Sequence, residues 1–238
     1  MNKEDIYGIN KWGNDILEIM DNGNIGLKNP FYPDNSPSDL IEIIKSLNER
    51  GISCPVLLRV TDYLAFRIQQ INNSFLNAIK EIGFKGDYKG VFPVKVNQQA
   101  QVIDRIVEFG KKYDFGLEVG SKPELLIALA HDLSSESTII CNGIKDREFI
   151  HLAILSQKIG FKTILVLESP RELELIIKIS KELSVRPLLG IRIKLTNKVS
   201  GNWSQSSGDR SAFGLSVEQV MDVIKKLKTH NYLDCLIL

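Results

Sequence analysis

VFPVKVNQ, residues 91–98, sets one lysine into a short run of strong β formers at the point where the run stops. Strand alternation would place Lys95 on the face opposite Phe92, Val94 and Val96. An amine opposed to three apolar neighbours at the C-terminal end of a strand fits a reactive nitrogen in the mouth of a barrel. Taken alone, it fits a lysine that snorkels to water better. The surrounding chain separates the two readings.

On both sides of this stretch a strand–helix beat runs from about residue 55. PVLLRV (55–60) reads as a strand and LAFRIQQINNSFLNAIKEIG (64–83) as its helix; YKGVFPVK (88–95) is followed by QAQVIDRIVEFGKKY (99–113). DFGLEVG (114–120), TIICNG (138–143), KTILVLE (162–168) and RPLLGIRIKL (186–195) are each followed by a helical pattern, and DCLIL (234–238) reads as a seventh strand. Such alternation predicts parallel βαβ units with right-handed crossovers. At roughly 30 residues per unit there are about six, fewer than the eight of a closed (β/α)8 barrel. The fold class expected is therefore α/β, an incomplete TIM-type barrel. Before it, ILEIM (16–20) and IGLK (25–28) flank Asp21-Asn22-Gly23-Asn24 as an N-terminal β-hairpin, and DLIEIIKSLNERG (39–51) reads as a helix closed by Gly51.

Alternation also sorts the strand faces. In FGLEVG, Phe115, Leu117 and Val119 oppose Gly116, Glu118 and Gly120; in LLGIRIKL, Leu189, Ile191, Ile193 and Leu195 oppose Gly190, Arg192 and Lys194; Asn142 shares a face with Ile140, and Arg59 with Leu57. If the bulky faces meet the helices, the others line the barrel, and Lys95, Glu118, Asn142 and Arg192 converge at its C-terminal mouth from four strands. Burying those charges unpaired is costly, so they form either a functional site or a structural ion-pair network. Strand glycines would leave room there for a flat ring. A lysine acts covalently chiefly by forming an imine with a carbonyl, which suits a pyridoxal cofactor, and an aldolase-type lysine would share the spacing. Ser121-Lys122-Pro123-Glu124, Ser169-Pro170-Arg171-Glu172 and Ser216-Val217-Glu218-Gln219 fit the capping box, so Glu124 is as readily a cap as a ligand.

Bulk properties exclude several classes. Thirty basic against 29 acidic residues leave a net charge of +1, which gives no electrostatic case for nucleic acid or an anionic membrane surface. No run approaches the length of a membrane span, and MNKEDIYGIN is not a signal peptide. Cys54, Cys141 and Cys235 fit reduced cytoplasmic thiols, and His131, His151 and His230 show no metal-ligand spacing.

VFPVKVNQ, FGLEVGSKPELLIAL (115–129), IICNGIKDREFI (139–150) and SGNWSQSSGDRSAFGL (200–215) occur in this order, with YGINKWG (7–13) and CPVLLRVTDYLAFRI (54–68) ahead of them. Together they resemble the biosynthetic arginine decarboxylases from about residue 6 to residue 238. The resemblance implies pyridoxal 5′-phosphate on an alanine-racemase-like barrel, joined to a β-rich domain that draws strands from both chain ends. It divides the chain into 1–54, part of that β-rich domain, and 55–238, part of the barrel. It implies Lys95 as the lysine that carries the cofactor, Glu118 as an acid beside it and Arg192 as an arginine at its ring, with Glu124 following in the same motif; Asn142 joins them as a cofactor-binding candidate. The implied substrate is L-arginine, converted to agmatine and CO2 on a route to putrescine and spermidine. Magnesium use is also implied, with no ligand set visible.

Two departures qualify this. The family continues past DCLIL into a ring-stacking histidine strand, a glycine-rich phosphate site and the acid that pairs with the pyridine nitrogen; and Ala212 stands where lysine is usual. The expectation is a chain inactive without the C-terminal half, which a complementing polypeptide would supply; a homo-oligomer is expected as a further partner. The alternative is a non-catalytic or regulatory fragment that binds the cofactor or pairs with an intact decarboxylase. A diaminopimelate or ornithine substrate fits less well, because the 200–214 loop resembles the arginine enzymes in particular.

Overall fold

The structure, a computed structural model, describes residues 3–194 and 213–238. Leu195, Ala212 and most of the 200–214 loop invoked above lie outside the described residues. Internal contacts divide the chain into Met1–Asn73 and Ser74–Leu238.

The first unit opens with α1 (Lys3–Tyr7) and α2 (Ile9–Trp12) and then forms the expected hairpin, β1 (Leu17–Ile19) against β2 (Ile25–Leu27), in the register Leu17↔Leu27 and Ile19↔Ile25. A third short strand, β3 (Ser38–Asp39), adds antiparallel to β2. Asp39 ties the pieces together: Oδ1 accepts from the Ile41 and Glu42 amides as the N-cap of α3 (Leu40–Glu49), and Oδ2 accepts from Asn22 and Asn24 of the hairpin turn. These bonds, that from Asn24 foremost, hold its carboxyl below the usual range. Gly51 follows α3 at φ +78°, where a side chain would be strained, and lets the Ile52 amide reach the Leu47 carbonyl at 2.9 Å.

The strand expected at 55–60 is absent. Residues 56–60 lie in no ladder, and Leu57, Leu58 and Arg59 are exposed. Their β-forming composition finds no neighbouring backbone to pair with, and propensity without a ladder does not make a strand. The chain goes directly into α4 (Thr61–Ile82), within which the division between the two units falls.

The second unit is a five-stranded parallel sheet in the order β4 (Val91–Pro93), β5 (Gly116–Val119), β6 (Thr138–Cys141), β7 (Lys162–Leu167), β8 (Leu188–Ile191). Each strand is followed by a helix: α5 (Ala100–Gly110), α6 (Lys122–Leu129), α7 (Arg147–Lys158), α8 (Pro170–Leu183) and α9 (Val217–Thr229). Sequential neighbours, all parallel and linked by helices, make the wall of a partial barrel. DCLIL takes the place of the next strand only in part. A 3-10 turn covers Leu233–Cys235, then Leu236 bridges Leu189 in parallel and the Ile191 amide donates to the Leu238 carbonyl at 2.9 Å.

The bulky faces do meet the helices. Leu117 and Val119 of β5, Ile139 and Cys141 of β6, and Leu165 and Leu167 of β7 are fully buried in one cluster with helix residues such as Ile103, Phe149 and Ile176. Each buried Leu or Ile contributes about 1.5–3 kcal/mol. Two of the strand glycines serve packing rather than ring space: a Cβ at Gly116 would lie 1.9 Å from the Thr138 carbonyl oxygen, and one at Gly190 would lie 3.2 Å from both Leu238 and Val166; at Gly120, past the end of β5, a Cβ would meet only Glu124 Oε2 at 3.8 Å.

Candidate cofactor site

β4 stops one step before the lysine. After Pro93, which has no amide to donate to a further ladder position, the chain tightens into a 3-10 turn, Val94–Val96, so Lys95 stands beyond the strand end rather than on it. Val94 is fully buried beneath, whereas Val96, expected on the apolar face, is 68% exposed. The side chain of Lys95 is 61% exposed, but its amine is held: Nζ donates to Glu118 Oε1 at 3.2 Å. The same oxygen accepts from Asn142 Nδ2 at 2.9 Å. Three of the four expected residues thus meet at the C-terminal ends of β4, β5 and β6. The other oxygen of Glu118 is buried and has no hydrogen-bond partner among the described residues, an arrangement costly unless something else satisfies it.

Arg192, the fourth, does not join this trio. It follows β8 and donates from Nη1 to Glu168 Oε1 at 3.0 Å, with its guanidinium 5.1 Å from the centre of the Phe213 ring. Glu168, at the end of β7, was not singled out by sequence. Its one signal was a carboxylate closing an otherwise apolar strand, KTILVLE, as Glu118 does in FGLEV. Its side chain is 2% exposed and fully engaged: Oε1 also accepts from the Gly143 amide at 2.9 Å, and Oε2 from the Gly214 amide at 3.1 Å. Arg59, the other arginine placed on an inward face by alternation, is exposed.

The helix starts support both carboxylates. Ser121 and Ser169 cap α6 and α8, and the glutamate three residues on reaches back in each case to the residue before the cap: Glu124 Oε2 accepts from the Gly120 amide at 2.8 Å and Glu172 Oε2 from the Glu168 amide at 2.9 Å. The capping reading of Glu124 therefore accounts for the bond it makes. Ser216 and Gln219 form the full reciprocal box. Glu172 also binds Lys145, accepting its amide at 3.0 Å and lying 3.3 Å from its fully buried Nζ, which in turn donates to the Gly143 carbonyl at 2.5 Å. Burial pulls the Lys145 pKa below its ordinary value against the opposite pull of Glu172, and it pushes the neighbouring Cys141 thiol up to about 12. Among the described residues no group of three or more His, Cys, Asp or Glu side chains could hold a metal ion, and no helix is long and apolar enough to cross a membrane.

Residues 68–236 match the family model described as the pyridoxal-dependent decarboxylase, pyridoxal binding domain. The chain belongs to the pyridoxal-dependent decarboxylases. A biosynthetic arginine decarboxylase of Gloeobacter violaceus is 44% identical over 232 residues, 98% of this chain and 36% of that protein; one of Prochlorococcus marinus is 45% identical over 231 residues, 96% and 35%. The crystal structure of the biosynthetic arginine decarboxylase of Campylobacter jejuni superposes with a TM-score of 0.83 at 33% identity, over 99% of this chain and 36% of that one. A diaminopimelate decarboxylase from M. jannaschii, in complex with L-lysine, gives 0.65 at 25% identity, over 92% and 46%. The similarity to biosynthetic arginine decarboxylases read from the motifs is thus confirmed, and this pyridoxal-dependent decarboxylase chain spans about a third of the length of the relatives it matches.

Proposed function

We propose that this chain forms the cofactor-bearing part of an arginine decarboxylase that converts L-arginine to agmatine and CO2. The observation that carries the reading is the Lys95 amine, bound at the sheet's C-terminal end to a buried glutamate whose second oxygen has no partner among the described residues. The residues fit pyridoxal 5′-phosphate. Lys95 would hold its aldehyde carbon, Glu118 Oε2 stands ready to accept from a donor on the bound group, and Asn142 and Lys95 together hold Oε1 in place. When bound, the cofactor supplies an electron sink for the pair left behind as CO2 departs. Glu118 orients Lys95 Nζ by accepting its 3.2 Å hydrogen bond, and Arg192 brings positive charge to the same rim.

The choice of arginine over diaminopimelate rests on the similarity to the arginine enzymes. For the whole protein we propose cytoplasmic decarboxylation in polyamine biosynthesis, as a homo-oligomer, with a complementing polypeptide furnishing what lies beyond the span shared with the relatives. The 1–54 and 55–238 division, as parts of a β-rich domain and a barrel, belongs to the same proposal. Magnesium is given no site. A non-catalytic role as a cofactor-binding or regulatory chain is the second reading, which the assay below separates from the first.

The test is to add pyridoxal 5′-phosphate, reduce with borohydride and map the labelled peptide, then assay agmatine from L-arginine with and without a polypeptide matching the rest of the relatives' length. Label at Lys95 and agmatine formation are expected. Label on another lysine overturns the cofactor reading. Label at Lys95 with no agmatine in the complemented protein favours the non-catalytic one.

A further inference from the structure

Arg192 is 48% exposed along its side chain, and a half-solvated guanidinium has many conformations open to it. Yet it is bound to a carboxylate that is 2% exposed and whose other bonds go to backbone amides in two different turns. Glu168 Oε1 takes Arg192 together with the Gly143 amide, one residue beyond Asn142; Oε2 takes the Gly214 amide. Gly214, at φ +83°, precedes Leu215, whose amide donates to the Arg192 carbonyl at 2.7 Å. The carboxylate is itself fixed from behind, because its own amide donates to Glu172, which is braced by buried Lys145.

We infer that Glu168 is a positioning residue: it clamps the turn after β6, the segment after β8 and the approach to α9 together, and so holds Arg192 where it can meet the cofactor. This rests on the reading of Arg192 as a cofactor contact. Asn142, and through it Glu118, is set by the same clamp from the Gly143 side.

Glu168→Gln tests it in the 238-residue protein, because the amide would set an N–H2 donor against at least one of the donors that Glu168 now accepts. In cofactor-free protein, hydrogen exchange at the Gly143 and Gly214 amides should speed up about tenfold in Glu168→Gln and stay unchanged in Arg192→Gln. In protein given pyridoxal 5′-phosphate, each single variant should bind about tenfold more weakly, and the double variant no more weakly than the worse single, because one acts through the other. Multiplying losses in the double variant, or wild-type exchange and affinity in Glu168→Gln, would overturn the inference. Should Glu168→Gln fail to fold, Glu168→Asp keeps the charge but shortens the reach, and is expected to loosen Gly214 while losing severalfold in affinity. A Lys95→Ala control separates the two levels: cofactor absorbance that survives it sinks the cofactor reading, while the exchange rates still judge the clamp.

Discussion

Glu118 and Glu168 are two buried carboxylates at the C-terminal ends of alternate strands, and they are treated in opposite ways. Glu168 has three hydrogen-bond donors distributed over both oxygens, two of them backbone amides. Glu118 puts both of its donors, side chains of Lys95 and Asn142, on one oxygen and leaves the other buried without a partner among the described residues. A satisfied buried carboxylate organises the backbone around it; one left half-satisfied carries a desolvation cost that a bound group can relieve. The molecule thus separates scaffold from site within one rim, and the lysine lies on the unsatisfied side.

The comparison breaks most sharply at Lys95. Lys95→Ala should abolish the visible absorbance that a lysine-bound pyridoxal gives, with a stability loss of about 1 kcal/mol or less, since Lys95 is largely exposed and buried Glu118 keeps its bond from Asn142. A surviving band would remove the site from the unsatisfied carboxylate altogether. Next in size, Glu168→Ala leaves two amides and an arginine without their acceptor and should cost about 3 kcal/mol, read from chemical unfolding. Glu118→Gln should show the opposite signature. It keeps the acceptor facing Lys95 and Asn142 and loses no bond at the second oxygen, so stability should stay within about 1 kcal/mol of wild type. Affinity for pyridoxal 5′-phosphate should nevertheless fall about tenfold, or about 1.4 kcal/mol. Equal destabilisation by the two substitutions would erase the distinction.

Legibility in the sequence followed the same line. Strands β5 to β8, their helices and the three serine caps were readable because periodicity, glycines and capping residues are local signals. Lys95, Glu118 and Asn142 are readable as a group because they stand at or just past the ends of three adjacent strands, although the 3-10 turn at 94–96 breaks the alternation that places Lys95 on a strand. The strand at 55–60 was misread because a ladder needs a neighbour that composition does not reveal. Glu168 was missed because its donors lie 24, 25 and 46 residues away, and Gly143 and Gly214 carry no side chain to announce the bond. Alternation reads Gly116 and Gly120 alike as room for a ligand, whereas Gly116 is there for the Thr138 backbone and only Gly120 has open space beside it. In each miss the deciding partner was remote in sequence.

The smallest expected effect concerns the brace behind Glu168. Lys145 is buried with Glu172, and burial, the largest influence on it, lowers its pKa below the ordinary 10.5. Between that depressed value and 10.5 the unfolded chain holds a proton that the folded chain has released, so this group makes stability rise with pH across the window; below it, both states are charged and the burial cost is felt in full. Cys141 works in the other direction, since a thiol raised from 9.0 to about 12 loses its stabilising contribution as pH climbs above 9.0. The informative quantity is therefore the difference between wild type and Lys145→Met, in which Cys141 is common to both. Urea midpoints from about pH 8 upward should show wild type gaining on Lys145→Met as the pH approaches 10.5. In Lys145→Met, Glu172 keeps the amides of Glu168 and residue 145, so the loss at neutral pH should be about 1 kcal/mol or less. Parallel pH curves would mean that the pull of Glu172 already offsets the burial of Lys145, and that the brace behind Glu168 adds no pH dependence of its own.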